Sequence, residues 1–308
     1  MSRTTLFAGF DEAGIDVGPD VALHVRTAGA GAPVVLLHGY PQNGACWHRV
    51  APALAEGYAV VVPDLRGYGQ SSTPPDDAAH TTYSKRTMAA DIVAVMSSLG
   101  HERFAVVGHD RGGRVAYRLA LDHADRVERL CTLDIIPTVE QFELLSANRR
   151  AAVFSFHWYF LAAAPPMPEA LIGAQPGFYL EQVMGRWAGS VPGADAITPD
   201  AMAAYIEAFT PAVIGASCAD YRAGATFDTD LDDADRAAGR TITCPVHALW
   251  GDRRSDDANR AVLDTWRRWV APGQPLTGRP LPCGHFIPEE RPDLLIEELA
   301  AFLGGAAN

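Results

Sequence analysis

The stretch Val106-Val107-Gly108-His109-Asp110-Arg111-Gly112-Gly113-Arg114 joins a short apolar run to a segment with helical spacing. Glycine has no Cβ atom, so Gly108 and Gly112 allow a sharp turn in which the backbone approaches itself closely. A buried strand that leads directly into a helix is typical of parallel α/β structure. The pattern therefore predicts that Asp110 lies at the carboxyl end of a strand, on the connection to the following helix.

Other segments of the chain repeat this alternation of apolar runs and helical spacing. Apolar runs that predict strands occur at residues 21–26, 33–37, 58–63, 104–107, 130–133 and 245–250, with a last short strand leading into the Gly-His turn at 281–285. Helical spacing occurs at residues 85–99, 114–121, 258–270 and 294–303. Strands without polar alternation are covered on both faces, which predicts an α/β fold with a mostly parallel central sheet and helices on both sides.

The alternation stops in the middle of the chain. Residues 138–240 contain helical segments with Pro-rich joints and no strand run. We therefore predict a core formed by residues 1–137 and 241–308, and a helical cap formed by residues 138–240. An insertion after a sheet strand is expected above the carboxyl ends of the strands, where open α/β sheets bind ligands.

Composition excludes several classes of function. The formal net charge of −12 disfavours nucleic acid and anionic membranes as partners, because both require clustered Lys and Arg. The five cysteines are scattered and include no C-x-x-C pair, so neither a disulfide framework nor a zinc site is expected. Neither a signal peptide nor an apolar stretch of membrane-spanning length is found. We expect a cytoplasmic protein without a metal.

Asp110 occupies the central position of a nucleophile-elbow pattern, which in esterases has the sequence G-x-S-x-G. A carboxylate at this position can attack an sp³ carbon directly and form an ester, and a histidine is then needed as the base for hydrolysis. The alternative is that Asp110 only caps the helix. His285, in a Gly-His turn after the last predicted strand, is the candidate base, and either Asp134 or Asp252 is its orienting acid, with Asp134 favoured.

Backbone groups near the elbow complete the predicted site. The N–H groups of Tyr40 and Arg111 are candidates for an oxyanion hole during ester hydrolysis.

Arg111 and Arg114 are three residues apart at the start of a helix and share a face, so two guanidiniums are expected to hold a substrate anion beside Asp110. The alternative is an ion pair with a cap carboxylate, which we consider more for Arg114 than for Arg111. Arg118 is expected to form a surface pair with Asp122.

Several motifs together make the chain resemble the fluoroacetate (haloacetate) dehalogenases of the α/β-hydrolase superfamily, over almost its whole length. They are His38-Gly39-Tyr40-Pro41-Gln42-Asn43, the Asp110 elbow with both arginines, Asp134, Phe156-His157-Trp158-Tyr159-Phe160, Asp220-Tyr221-Arg222-Ala223 and Gly284-His285-Phe286. The sequence departs from the family in having Tyr40 where Phe is usual, and in the high charge of residues 252–260.

The resemblance implies a fold, a reaction and a set of site residues. The fold is that of the α/β hydrolases, and the reaction is hydrolysis of a small anionic haloacid, fluoroacetate or chloroacetate, to glycolate and halide without a cofactor. Asp110 is the implied nucleophile, His285 the base and Asp134 its partner. The implied carboxylate ligands are Arg111 and Arg114, and the implied halide ligands are His157, Trp158 and Tyr221. A homodimer is also implied.

Two other functions are compatible with the same residues. An epoxide hydrolase uses the same Asp, His and acid, and it needs Tyr hydroxyls in the cap, for which Tyr159, Tyr205 and Tyr221 are candidates. The arginine pair argues against it. A ligand receptor or inactive relative on the same fold is disfavoured by the complete set of Asp110, His285 and an acid.

Overall fold

A computed structural model of the chain describes residues 6–189, 196–252 and 261–304. It contains an eight-stranded sheet with the strand order β1-β2-β4-β3-β5-β6-β7-β8. The strands are β1 (Asp11–Gly18), β2 (Val21–Ala28), β3 (Ala32–Leu37), β4 (Tyr58–Pro63), β5 (Phe104–His109), β6 (Val127–Leu133), β7 (Val246–Gly251) and β8 (Leu276–Leu281). β1, β2 and β4 pair antiparallel, and every other pairing is parallel. The predicted mostly parallel sheet is confirmed.

The central strands are buried along their length. Every residue of β5 and of β7 is buried, as expected for strands that helices cover on both faces. The helices of the core are α1 (Ala51–Leu54), α2 (Lys85–Ser98), α3 (Arg111–Asp122), α12 (Val262–Arg267), α13 (Ile287–Glu290) and α14 (Pro292–Leu303). Short 3₁₀ turns stand at Gly44–Trp47 and Thr81–Tyr83.

Between β6 and β7, the described residues form helices and no named strand. These helices are α4 (Thr138–Ala147), α5 (Arg149–Phe154), α6 (His157–Leu161), α7 (Met167–Ala174), α8 (Pro176–Trp187), α9 (Pro199–Ala208), α10 (Pro211–Ala225) and α11 (Phe227–Ala238). We refer to them as the cap. In the described part of the chain no single helix is both long and apolar enough to cross a membrane, while one bent pair, Pro199–Ala208 with Pro211–Ala238, meets that test by length and composition alone.

The two strands at the edges of the sheet were not predicted. β1 is mostly exposed. β8 ends at Leu281, which is the residue at which the predicted last strand began. An edge strand has one neighbour and one exposed side, so it needs no continuous apolar run. The sequence also predicted a helix that begins at residue 258. Residues 253–260, which include most of the highly charged stretch 252–260, lie outside the described residues. Within the described residues, the helix α12 begins at Val262.

Candidate active site

Asp110 lies between the end of β5 and the start of α3, in a strained backbone conformation. Its φ of 47° and ψ of −116° are rare for a residue with a side chain. The flanking glycines make this turn possible: a Cβ atom at Gly108 would stand 2.4 Å from the carbonyl oxygen of Gly112, and one at Gly112 would stand 2.4 Å from that of His38. This is the backbone geometry of a nucleophile elbow.

The two carboxylate oxygens of Asp110 have different surroundings. The backbone N–H of Tyr40 donates to Oδ1 at 2.8 Å. Oδ2 lies 3.8 Å from Nε2 of His285, too far for a hydrogen bond. Although burial works to raise the pKa of Asp110, its electrostatic interactions with His285, His109 and Arg114 lower it overall. Asp110 is therefore held as a carboxylate with one oxygen anchored.

His285 contacts Asp134 on the side of its ring that faces away from Asp110. Its Nδ1 lies 2.5 Å from Oδ2 of Asp134, and the other oxygen of Asp134 accepts the N–H of Gly251 at 3.1 Å. Asp252, the alternative acid, is exposed. The structure thus brings Asp110, His285 and Asp134 together in the order expected of nucleophile, base and orienting acid.

Glu290 supports the turn that carries His285, a role that no sequence motif indicated. Its carboxylate accepts the N–H groups of Gly284 and Phe286, at 2.8 Å and 2.9 Å, on either side of the histidine. It also accepts the N–H of Gly189 from the cap at 2.8 Å. The N–H of His285 itself donates to the carbonyl oxygen of Trp187 at 3.0 Å. With the backbone donors on both sides engaged by one buried carboxylate, the turn holds the side chain of His285 in a fixed orientation.

Arg111 pairs with a carboxylate of the cap, which was the alternative considered mainly for Arg114. Its Nε and Nη2 donate to the two oxygens of Asp220, at 3.0 Å and 2.6 Å, and Nη2 also donates to the Asp220 carbonyl at 2.8 Å. Its third group, Nη1, is buried without a hydrogen-bond partner among the described residues. Of the two arginines predicted to hold a substrate anion, Arg111 is thus already paired with a cap carboxylate, which was considered the less expected of the two pairings.

Arg114 carries no ion pair with any carboxylate of the described ranges. Its Nη1 donates to the carbonyl oxygen of Ile136 at 2.9 Å, and its guanidinium lies 4.4 Å from the ring centroid of Trp158. It lines the same cavity as Asp110 and His285. A buried cation without an anionic partner, beside an open cavity, is a site for a small anion.

Arg118 is not the surface residue that its spacing to Asp122 suggested. It is 1% exposed and pairs with Asp232 at 2.7 Å and with Asp235 at 2.5 Å, both from α11 of the cap. The predicted contact with Asp122 is present at 3.4 Å. The prediction of an exposed pair was wrong because the cap covers this end of α3.

The three predicted halide ligands lie together. The ring centroids of His157 and Trp158 are each 5.7 Å from that of Tyr221. His157 and Trp158 line the cavity, whereas Tyr221 is fully buried, and its hydroxyl finds no hydrogen-bond partner in the described part of the chain. Burial and the negative charge of Asp110 raise the pKa of Tyr221, so the hydroxyl keeps its proton and is available as a donor.

The cavity is small and combines core and cap residues. The space open to the centre of a water molecule is about 30 Å³, room for a molecule of only a few heavy atoms. Its lining residues are Asp110, Arg114, Asp134, Gln141, Phe154, Ser155, His157, Trp158, Trp187 and His285. Gln141, Phe154, Ser155 and Trp187 were not predicted, since they lie outside the motifs that the sequence shows. Within the described ranges, no group of three or more His, Cys, Asp or Glu side chains is placed to hold a metal ion.

The chain is similar to known proteins over most of its length. Residues 32–292 match the family model of the alpha/beta hydrolase fold. The chain is 42% identical to a fluoroacetate dehalogenase of a Burkholderia species, over 98% of this chain and 97% of that protein. It is 34% identical to the soluble epoxide hydrolase of Corynebacterium sp. (strain C12), over 91% and 93% of the two chains. A solved structure of a candidate alpha/beta hydrolase from Nostoc sp PCC 7120 has 44% identity and a TM-score of 0.89, over 98% and 99%.

Proposed function

Because this chain belongs to the α/β-hydrolase family, we propose that it is a dehalogenase that converts a haloacetate, fluoroacetate or chloroacetate, to glycolate and halide. One observation carries the proposal: Arg114, buried and unpaired with any carboxylate of the described residues, lines the same small cavity as the Asp110 carboxylate. A substrate for this site has a negative end for the guanidinium and an electrophilic carbon for the carboxylate, within a few heavy atoms.

Substrate binding comes first in the proposed reaction. The guanidinium of Arg114, fixed by its bond to Ile136 and by the face of Trp158, binds the substrate carboxylate. This places the α-carbon against Asp110 and offsets the repulsion between two carboxylates. The unpartnered Nη1 of Arg111 is a second donor to the same anion.

Attack follows from the different surroundings of the two Asp110 oxygens. Oδ1 is held by the Tyr40 N–H, so Oδ2 forms the new bond to the α-carbon while the carbon–halogen bond breaks and its electron pair leaves with the halide. The attack is in line, so inversion is expected at a chiral α-carbon. The indole N–H of Trp158, the imidazole of His157 and the hydroxyl of Tyr221 solvate the departing halide.

Hydrolysis of the ester needs water and a base. The 3.8 Å between Nε2 of His285 and Oδ2 of Asp110 leaves the histidine facing the ester rather than bonded to the resting carboxylate. His285 takes a proton from water, whose oxygen attacks the carbonyl carbon of the Asp110 ester, and the charge on Oδ1 is held by the Tyr40 N–H. Collapse breaks the ester bond, and the proton passes to the leaving glycolate oxygen. Asp134 stabilises the imidazolium in between.

Epoxide hydrolysis is the second candidate, and the hydroxyl of Tyr221 favours it, since an epoxide oxygen needs an acidic hydroxyl. The other two candidate tyrosines do not support it: Tyr159 is 46% exposed, and the hydroxyl of Tyr205 donates to Glu289 at 3.0 Å. The small cavity and the cationic Arg114 also disfavour a bulky neutral epoxide.

The decisive experiment measures halide release by the purified protein from fluoroacetate and chloroacetate, beside turnover of styrene oxide. Halide release that is lost in Asp110→Asn supports the proposal. In H₂¹⁸O, repeated turnover should also place label in the Asp110 carboxylate. Turnover of styrene oxide without halide release would replace the proposal by its alternative, and label in product alone would exclude the ester. The cytoplasmic location, the homodimer and the division at residues 138 and 240 stay predictions.

A further inference from the structure

Asp220 stands at the centre of a buried cluster that joins the cap to the core. It lies on α10 and is fully buried. Its carboxylate accepts Nε and Nη2 of Arg111 from α3, the hydroxyl of Tyr68 at 2.6 Å, and Nζ of Lys85 from the first turn of α2. Asp228 of α11 lies 3.7 Å from the same Nζ. Each polar atom of the Asp220 carboxylate is therefore engaged by the core.

This cluster fixes the guanidinium of Arg111 in one orientation. Two of its three nitrogens are bound to Asp220, one of them twice, and its Cζ lies 4.2 Å from the ring centroid of Tyr221. A planar group with two bonded corners has no freedom to turn, so the third corner, Nη1, points in a single direction. That corner is buried and unpartnered among the described residues.

A buried donor without a partner carries a cost that an incoming acceptor removes. The neighbours of Arg111 include Tyr221, the proposed halide ligand, and Trp158, whose ring centroid lies 5.5 Å from Cζ and which lines the cavity. Resting on the proposed function, we infer that Asp220 is a positioning residue: it clamps Arg111 from the cap so that Nη1 alone is presented to the carboxylate of the substrate.

The second part of the inference concerns what Asp220 carries with it. Tyr221 is the next residue of the same helix, so the carboxylate that aims Arg111 and the hydroxyl that solvates the halide move as one unit of the cap. Tyr68 and Lys85 tie this unit to the core. Weakening the cluster therefore reduces the affinity for a carboxylate ligand before it changes any group that touches the reacting carbon.

A matched control exists in the same protein. Asp232 of α11 is also fully buried, accepts a tyrosine hydroxyl from Tyr117 at 2.7 Å, and pairs with Arg118 of α3 at 2.7 Å. Arg118 is one helical turn beyond Arg114, and unlike Arg111 it has no buried guanidinium nitrogen without a hydrogen-bond partner among the described residues. If ligand affinity falls because the cap is generally damaged, it falls in variants of both the Asp220 and the Asp232 clusters. If it falls because Arg111 is no longer held in place, it falls only in variants of the Asp220 cluster.

The experiment uses the full chain and two measurements: the dissociation constant of acetate, from tryptophan fluorescence, and kcat and KM for chloroacetate. For Asp220→Asn we expect the acetate dissociation constant and the KM to rise about tenfold or more, with a smaller change in kcat. For Asp232→Asn we expect both within about twofold of wild type. In an Arg111→Met background, Asp220→Asn should add nothing, because Asp220 acts through that arginine.

A milder pair of variants covers the case in which Asp220→Asn does not fold. Tyr68→Phe removes one hydrogen bond to Asp220 and leaves all charges, and it should raise the acetate dissociation constant about two- to fivefold, while the matched Tyr117→Phe leaves it unchanged. Unchanged acetate binding in folded Asp220→Asn or in Tyr68→Phe, losses that add in the Arg111→Met background, or a wild type that binds no acetate overturns the inference.

The measurements also separate this inference from the dehalogenase proposal. If the wild type releases no halide yet binds acetate in a way that depends on Asp220, the positioning role stands and the proposed reaction fails. If the wild type releases halide and folded Asp220→Asn keeps both its KM and its acetate affinity, the reaction stands and the positioning role fails.

Discussion

Helix α3 carries three arginines that face the cap, and they differ in their ion pairs with the carboxylates of the cap. Arg111 and Arg118 lie at the two ends of one helical face, and each pairs with a buried aspartate, Asp220 and Asp232 respectively. Arg114 lies between them and forms no ion pair with a carboxylate of the described chain. Two of the three charges are thus neutralised within the fold, and the middle one is left beside the Asp110 cavity.

The two neutralised ends also differ from each other. At the Arg118 end, Nη1 and Nη2 both donate to carboxylates of α11, so both terminal nitrogens are occupied by the fold. At the Arg111 end one nitrogen keeps no partner among the described residues. The ion pairs of Arg118 hold the cap to the core. The ion pair of Arg111 does the same and also leaves one N–H donor for a ligand. The same residue types thus provide a structural contact at one end and a candidate binding group at the other.

The largest effect that this comparison predicts is on activity at the middle position. Arg114→Met removes the guanidinium that no carboxylate neutralises, and we expect kcat/KM for chloroacetate to fall about 10²- to 10³-fold, as for other truncations of a buried charge partner. Steady-state kinetics of halide release measures it.

Arg118→Met is the control for that prediction. It leaves the buried Asp232 without its cation, whereas Asp235 keeps Arg240 at 2.7 Å. The free energy of unfolding should therefore fall by about 3–5 kcal/mol, while kcat/KM of the folded protein stays within about threefold. Equal losses of activity in the two folded variants would show that the arginines do not differ in the way the contacts indicate.

Smaller effects on stability and activity are expected to distinguish Tyr221, which lies beside Arg111, from Tyr117, which donates to the partner of Arg118. Tyr221→Phe removes a buried hydroxyl without a partner among the described residues, so we expect stability to be unchanged or higher by up to about 1 kcal/mol. Fluoride release should fall about 10- to 100-fold, and chloride release less, because fluoride depends more on donated hydrogen bonds.

Tyr117→Phe should give the opposite result. The Tyr117 hydroxyl donates to Asp232 at 2.7 Å and lies 2.9 Å from Oγ1 of Thr138, so its loss should cost about 1–3 kcal/mol and leave activity unchanged. Urea denaturation and ion-selective detection of halide measure the two quantities. A stable Tyr117→Phe with reduced activity would contradict the division.

Sequence patterns predicted the positions of Asp110 and His285 better than their surroundings. Asp110 sits in a local strand-turn-helix signature, and His285 follows the last strand in the expected chain order, so both were identified without long-range information. The choice between Asp134 and Asp252 depended on the fold, because each follows a core strand and only the docking of the strands decides that Asp134 contacts the histidine. In the sheet, the inner strands had continuous apolar runs, while β1 and β8 at the edges did not.

The state of each arginine was not predictable for a similar reason. Asp220 and Asp232 are acidic residues within cap helices and carry no local signature of burial. They are 109 and 114 residues from their arginine partners, so their pairing depends on how the cap docks. The spacing of Arg118 and Asp122 predicted an exposed pair because spacing describes one helix and contains no information about what covers it.

The smallest predicted effect is a difference in how the two ends respond to pH. Burial raises the pKa of Asp232 to about 6, although Arg118 opposes it. Burial also works to raise the pKa of Asp220, but Arg111 and Lys85 hold it well below its usual range. Between pH 7 and pH 5, Asp232 therefore takes up a proton in the folded state and Asp220 does not.

The sign of the stability change follows from the unfolded chain, where Asp titrates near 3.9. A folded pKa of about 6 means that the folded state binds the proton first, so the contribution of Asp232 to stability grows as pH falls and is lost as pH rises through 6. The difference in unfolding free energy between wild type and Asp232→Asn should thus increase by about 1 kcal/mol from pH 7 to pH 5. For Asp220→Asn it should stay constant, because a lowered pKa loses its contribution only below the unfolded value. Urea denaturation at pH 7, 6 and 5 measures both differences, and titration of all other groups cancels within each pair. A flat Asp232 difference with a sloping Asp220 difference would reverse the roles assigned to the two ends of α3.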